Sequence, residues 1–163
     1  MADVRAALSA LPVEHLSTLL ASGNVVCTFA GTAAELRPAV EATLRSSFGY
    51  DAWVVVVSAE RLAQLLDRCP FPSDSADTHT YVTVAADPAA LDELITAVAE
   101  ADPSAQEERL GPEASAWTAP VGGTLDSPRS KIAGRARYRV ALTDRNLRTM
   151  IKVRAALEHM PAD

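Results

Sequence analysis

The residues best suited to chemistry in this chain are basic and lie near its carboxyl terminus. Arg145, Arg148 and Lys152 are spaced by three and four positions, which places them on one face of a helix. Guanidinium and ammonium groups on a shared face bind phosphate and other anions. A helix that starts here adds the positive potential of its first-turn amide groups. The spacing therefore predicts an anion site.

The distribution of charge along the chain also favours an anionic partner. The 163 residues carry a net charge of −6, yet residues 1–128 hold six Lys or Arg against 18 Asp or Glu, whereas residues 129–163 hold nine against three. Such asymmetry is typical of a segment that binds an anion. The alternative is that these basic residues form dispersed surface pairs with the acidic part, each worth at most about 1 kcal/mol.

A second basic group precedes this helix. Arg135, Arg137 and Arg139 alternate with smaller or apolar residues, and a strand would place all three on one face. We therefore predict a basic strand here, followed by a helix capped by Thr143 or Asp144. The Gly- and Pro-containing stretch 121–131 predicts a loop.

No catalytic or metal site can be assembled from spacing. His15, His79 and His159 are scattered over three elements, and Cys27 and Cys69 lack a C-x-x-C pattern. We predict no metal, no cofactor and no disulfide. The longest apolar run, residues 52–57, is far shorter than the roughly 18 residues of a membrane span, and no signal peptide precedes it. The expected location is the cytoplasm, with no membrane partner.

The elements that must position these groups alternate between helix and strand. The first part, residues 1–72, predicts a helix over 3–11, strands over 15–21 and 25–30, a helix over 33–48, a strand over 53–57 and a helix after Ser58. A linker over 73–78 follows. The second part, residues 79–163, predicts a strand over 80–86, a helix from Pro88, a hairpin over 107–119 and the basic strand and helix. This order predicts an α+β fold.

Several motifs in this order resemble one protein family. They are Met1-Ala2-Asp3-Val4-Arg5-Ala6-Ala7-Leu8, Ser22-Gly23-Asn24-Val25-Val26 with Phe29, Ser130-Lys131-Ile132, and Thr143-Asp144-Arg145-Asn146-Leu147-Arg148-Thr149 with Lys152. The last is similar to T-x-R-N-W-x-T-x-x-K-L of DUF1697, an uncharacterised bacterial family. The resemblance implies two ferredoxin-like βαββαβ halves side by side, with no activity attached.

The chain departs from this family at three places. The family's first strand and its R-G-I-N-V-G-G turn are missing, Leu147 replaces a Trp, and Val153 stands where the family has Leu. We expect the native start to lie upstream of Met1. Without the first strand, an unpaired sheet edge would allow a homodimer.

The predicted function is a binding module for a small phosphorylated or other anionic ligand through the basic C-terminal segment. With the residues that the family motifs add, the candidate ligand-binding set is Asn24, Lys131, Arg145, Asn146, Arg148, Thr149 and Lys152. One alternative is an enzyme in which Asn24, Arg145, Asn146 and Lys152 stabilise developing charge. Another is a nucleic-acid-binding protein, which the acidic remainder and the 5% aromatic content disfavour.

Overall fold

The computed structural model describes residues 1–20, 23–73 and 75–161, which form a mixed α+β fold. The first part contains helix α1 (Ala2–Leu8), strands β1 (Glu14–Leu19) and β2 (Asn24–Thr28), and helices α2 (Ala33–Phe48) and α3 (Ala59–Asp67). Strands β1 and β2 pair antiparallel as the predicted hairpin. Residues 21 and 22 of its turn lie outside the described residues.

The second part begins with strand β3. Its elements are β3 (Thr78–Ala85), α4 (Pro88–Ala101), β4 (Glu107–Gly111), β5 (Ala114–Pro120), a 3₁₀ turn (Thr124–Asp126), α5 (Pro128–Ala133), α6 (Ala136–Arg139), β6 (Leu142–Asn146) and α7 (Leu147–Glu158). The four strands form one antiparallel sheet in the order β4-β5-β3-β6. Strand β6 is therefore an edge strand.

Local sequence signals determine the longest helix. The Thr32 hydroxyl accepts a hydrogen bond from the Glu35 backbone N–H, and Glu35 accepts one from the Thr32 backbone N–H at 2.7 Å. This capping box satisfies amide groups at the start of α2. Gly49 ends the helix at φ +73°, a conformation that costs glycine little. The predicted helix over 33–48 is confirmed.

The two faces of the four-stranded sheet differ in chemistry. One face packs against α3 and α7 through the largest apolar cluster, whose buried members are Leu62, Leu65, Leu66, Val82, Val84, Leu110, Ala114, Ala116, Leu147 and Met150. The other face lies beneath α4, α5 and α6 and combines a smaller apolar cluster, Leu94, Val98, Ile132 and Tyr138, with polar side chains. The sheet is therefore apolar on one face and partly polar on the other.

The predicted strand over 53–57 is wrong. This β-branched segment has no strand partner among the described residues, and the Val54 backbone N–H donates instead to a carboxylate oxygen of Glu41 at 3.1 Å. Val55 and Val57 pack against the large cluster, whereas the Trp53 side chain is half exposed. A strand requires a paired neighbour, and within the described ranges the first sheet has only β1 and β2.

The predicted basic strand over 135–140 is also wrong, because Ala136–Arg139 forms the short helix α6. Tyr138 is almost fully buried in the smaller cluster, and one helical turn directs it inward while the three arginines lie exposed. The strand of this region occurs later, as β6, and it carries one acidic and one basic residue, Asp144 and Arg145. The predicted loop over 121–131 instead contains the 3₁₀ turn and the start of α5, whose cap is Ser127.

Candidate functional site

The junction of β6 and α7 brings the predicted anion-binding residues together. Strand β6 ends at Asn146 and α7 begins at the next residue, with the Asn146 side chain accepting a hydrogen bond from the Arg148 backbone N–H at 2.9 Å. Asn146 is therefore the helix cap. The predicted caps, Thr143 and Asp144, are wrong because both pair with β3 inside the sheet.

Arg145 is the centre of this junction. Its Nε donates to Asn24 Oδ1 at 3.0 Å, and its Nη1 donates to the Asp144 backbone oxygen at 2.8 Å. Both partners are neutral groups, and among the described residues no carboxylate forms an ion pair with Arg145. Burial lowers the pKa of the Arg145 guanidinium, and the nearby Asp144 carboxylate partly offsets this. An anion would relieve that burial cost.

Asn24 holds the guanidinium from the hairpin. Its side-chain amide donates to the Leu19 backbone oxygen at 3.3 Å, which leaves the oxygen directed at Arg145. Gly23, immediately before it, has a φ of +80°, so the turn requires a residue that tolerates the left-handed region. The contact joins two motifs that are 121 positions apart in the sequence.

The remaining predicted residues of this group lie on the first two turns of α7. Arg148 and Lys152 are exposed and four residues apart, and Thr149 between them is partly buried. Only these two cations share a helix face. The predicted helical face of all three basic residues is wrong, because Arg145 lies on strand β6 before the helix begins. The structure joins Asn24 to Arg145 and Asn146 to Arg148 by hydrogen bonds, and it places Thr149 and Lys152 further along α7. We call these six residues, Asn24, Arg145, Asn146, Arg148, Thr149 and Lys152, the junction site.

Lys131 does not join the junction site. It is exposed on α5, which packs against α4 and the 3₁₀ turn on the polar face of the sheet. Helix α7 packs on the opposite face. The sheet therefore separates Lys131 from Arg145.

The nine basic residues of the C-terminal segment do not form one shared surface, contrary to what the anion-site hypothesis expected of them. Three of them pair with carboxylates of the acidic first part: Arg129 with Glu107 at 3.1 Å, Arg137 with Glu93 at 3.8 Å and Arg154 with Asp67 at 2.9 Å. The alternative interpretation, dispersed surface pairs, fits Arg137 and Arg154, whereas the Arg129 pair is buried. The physical reason is that α5, α6 and α7 lie on different sides of the sheet.

A buried polar network surrounds Arg129, and it was not predicted from the sequence. The Arg129 side chain is 4% exposed, and its guanidinium donates to Glu107, Asp144 and Thr83. It also lies 4.4 Å above the ring centre of Trp117, which stacks on Tyr81 with centroids 4.7 Å apart. No pattern of neighbouring residues distinguishes Arg129 from the other eight basic residues of this segment, so its burial could not be predicted from the sequence.

A cleft of about 450 Å³ lies beside this network. Its lining includes Glu107, Trp117 and Arg129 together with the carboxylates Asp102 and Asp126. The guanidinium of Arg129 already contacts two carboxylates, so it offers little positive potential to a further anion. The cleft is therefore less suited to an anion than the junction site.

Other reactive side chains of the described residues do not form a metal cluster or a reactive thiol site. No group of three or more metal-ligating side chains occurs within residues 1–20, 23–73 and 75–161. Burial raises the pKa of both Cys27 and Cys69, which disfavours the reactive thiolate. None of the helices in the described part of the chain has the length and apolarity to cross a membrane.

Comparison with known proteins identifies a family and a fold. The model of DUF1697, a protein family of unknown function, matches residues 1–114, a range that includes Asn24 and ends before β6 and α7. A solved structure of a conserved bacterial protein from Streptococcus pneumoniae matches with a TM-score of 0.73 and 21% identity over 96% of this chain and 88% of that one. At this identity the likeness shows the fold alone. No curated protein matches the chain.

Proposed function

The chain belongs to the DUF1697 family, and we propose that it is a binding module for a small phosphorylated or otherwise anionic ligand at the junction site. One observation carries the proposal. The partly buried Arg145 guanidinium is fixed by Asn24 and by a backbone oxygen, without a carboxylate partner in the described residues. A guanidinium held in this way can donate charge-assisted hydrogen bonds to an anion.

Helix α7 adds to the attraction at the same place. Its first-turn amides and the exposed Arg148 and Lys152 side chains supply positive potential next to Arg145. Three cationic groups around one helix start match the charge of a phosphate or diphosphate group. A small ligand suits this short surface better than a nucleic acid, because the acidic first part would repel a long polyanion.

The enzyme alternative needs an acid or base next to the bound ligand. Asp144 is the nearest carboxylate in sequence, but its carboxylate lies on the opposite face of the sheet and contacts Arg129. The three histidines lie on β1, on β3 and at the end of α7. The contacts described above therefore favour binding over catalysis.

A double charge reversal tests the proposal. We expect a thermal-shift screen with pyrophosphate, nucleotides, sugar phosphates and short oligonucleotides at low salt to raise the melting temperature with at least one small anion. Arg145→Glu with Lys152→Glu should weaken pyrophosphate binding at least about tenfold in calorimetry, because charge-assisted hydrogen bonds are lost.

The matched control is Arg135→Glu with Arg139→Glu. These two exposed arginines undergo the same change in charge at α6, away from the junction site. The control should retain the affinity for pyrophosphate within about twofold. An equal loss in both double variants would indicate non-specific attraction, and no shift with any anion would contradict the proposal outright.

A further inference from the structure

We propose that Asp144 is a positioning residue of the junction site, an inference that rests on the function proposed above. Its side chain is fixed by the Arg129 network on the polar face of the sheet, and its backbone holds Arg145 on the other face. The network would thus determine where the anion-binding guanidinium lies. It would do so without touching the ligand.

The side chain of Asp144 accepts hydrogen bonds from three different residues. Its Oδ1 accepts hydrogen bonds from Thr83 Oγ1, from Trp117 Nε1 at 3.3 Å and from Arg129 Nη1 at 3.2 Å. Trp117 and Arg129 are themselves 2% and 4% exposed, so these donors are held rigidly by packing. The carboxylate is anchored on strands β3 and β5 and on helix α5.

The backbone oxygen of Asp144 holds Arg145, whose side chain lies on the other face of the sheet. Successive residues of a strand direct their side chains to opposite faces, so Arg145 extends away from the network. Its Nη1 donates to the Asp144 backbone oxygen at 2.8 Å, and its Nε donates to Asn24. Any shift of Asp144 therefore moves one of the two acceptors that hold the guanidinium.

Strand β6 needs such an anchor because it is short and lies at an edge. It comprises five residues, pairs only with β3 among the strands of the described residues and passes directly into α7. Both the Arg145 guanidinium and the first turn of α7 take their position from this strand. An anchor in the middle of β6 thus fixes the Arg145 guanidinium and the start of α7.

A contribution to stability does not by itself explain why this buried network contains charged residues. It combines one guanidinium with the carboxylates of Glu107 and Asp144 in a largely buried setting. Desolvation of such groups offsets most of their attraction, and apolar residues of similar volume often stabilise a fold as well or better. A positioning role accounts for its presence.

Two substitutions of Asp144 distinguish positioning from electrostatics. Asp144→Ala removes both the charge and the acceptor, whereas Asp144→Asn removes the charge and keeps an oxygen for Thr83, Trp117 and Arg129. We expect Asp144→Ala to weaken pyrophosphate binding about tenfold, the equivalent of one lost charge-assisted hydrogen bond. Asp144→Asn should bind as tightly as the wild type or more tightly.

If Asp144 acted only through its charge, Asp144→Ala would raise the affinity for pyrophosphate instead of lowering it. Loss of a negative charge beside Arg145 would then tighten anion binding equally in both variants, and that result would overturn the proposal. So would an unchanged affinity of Asp144→Ala with a lowered melting temperature, which would show a structural role only. Asp126→Ala, which removes an exposed carboxylate from the 3₁₀ turn, is the charge-matched control and should leave the affinity within about twofold.

An NMR signal separates this inference from the proposed function. The Arg145 Nε–H should give a single protected ¹H–¹⁵N correlation in the wild type and in Asp144→Asn, and should broaden or disappear in Asp144→Ala. If pyrophosphate and the other anions fail to bind the wild type, the proposed function falls, yet this signal still shows whether Asp144 fixes the guanidinium. If Asp144→Ala fails to fold, Thr83→Val removes one donor with little change in shape and should weaken the signal and the affinity in the same direction.

Discussion

Arg129 and Arg145 lie on opposite faces of one sheet and have opposite electrostatic surroundings. Arg129 is nearly fully buried between two carboxylates and above Trp117, whereas Arg145 contacts only neutral oxygens in the described part of the chain. The planar guanidinium can serve the first role because it donates in several directions and stacks on an aromatic ring. The same residue type is therefore neutralised by carboxylates at one position and, under the proposed function, binds the ligand at the other.

Removal of the Arg129 charge should destabilise the protein strongly. Arg129→Met leaves Glu107, which is 5% exposed, without its cationic partner, and we expect the free energy of unfolding to fall by about 3 to 5 kcal/mol. Urea denaturation followed by circular dichroism measures this. Arg139→Met, at an exposed position of α6, should change it by less than about 0.5 kcal/mol. A loss below about 1 kcal/mol for Arg129→Met would contradict the account of the network.

Helix α3 shows how an element of the first part is fixed against the second. Ser58 caps it, with the side-chain oxygen accepting from the Arg61 backbone N–H at 3.2 Å, and its buried face is Leu62, Leu65 and Leu66 as the spacing predicts. Arg61 then forms two hydrogen bonds with Glu113, at 2.6 and 3.0 Å, in the turn between β4 and β5. The two residues of this ion pair are 52 positions apart in the sequence, so no local pattern indicated their contact.

The Arg61–Glu113 pair should make stability depend on pH. The hydrogen bonds from Arg61 lower the pKa of Glu113 in the folded state. The ionised carboxylate therefore stabilises the fold at pH values above its unfolded pKa, near 4.3. This stability is lost as the pH falls through the folded pKa. Glu113→Gln should lower the melting temperature by about 2 to 4 °C at pH 7 and by much less at pH 3. Calorimetry at both values measures this, and an equal effect at the two pH values would refute it.

The molecule as a whole is organised around the four-stranded sheet. Its larger apolar cluster joins α3, from the predicted first half, to α7 and to strands β3, β4 and β5 of the second. The halves expected from the sequence thus share a core at this point. The mixed α+β fold is confirmed, and the ferredoxin-like description of each half, the boundary at 73–78 and a homodimer through a sheet edge stay predictions.

A shared core should unfold as one unit. Leu65 is fully buried in the larger cluster, and Leu65→Ala should lower the free energy of unfolding by about 2 to 5 kcal/mol, through lost burial and the cavity that remains. Denaturation curves from circular dichroism and tryptophan fluorescence should coincide. Leu125→Ala, at a side chain 84% exposed, is the control and should have little effect. Two separate transitions would show that the parts fold independently.

The sequence by itself determined the elements that depend on neighbouring residues. Helical spacing, the capping box at Thr32 and Glu35 and the turn before Asn24 predicted α2, α3, α4 and both hairpins, because caps and periodicity act within a few residues. The family motifs also indicated Asn24, Arg145 and Asn146 as candidates. Their direct contact did not follow from the motifs.

Tertiary structure decided everything that depends on a distant partner. Residues 53–57 have strand-forming side chains but no strand beside them in the described ranges. Residues 136–139 form a helix because Tyr138 is buried in a core with α4 and α5. Burial of Arg129 likewise required Glu107, Thr83 and Asp144 from three different strands. Pairing and desolvation are properties of the assembled sheet, so they decided that Arg129 is enclosed by carboxylates and that Arg145 contacts neutral oxygens in the described part of the chain.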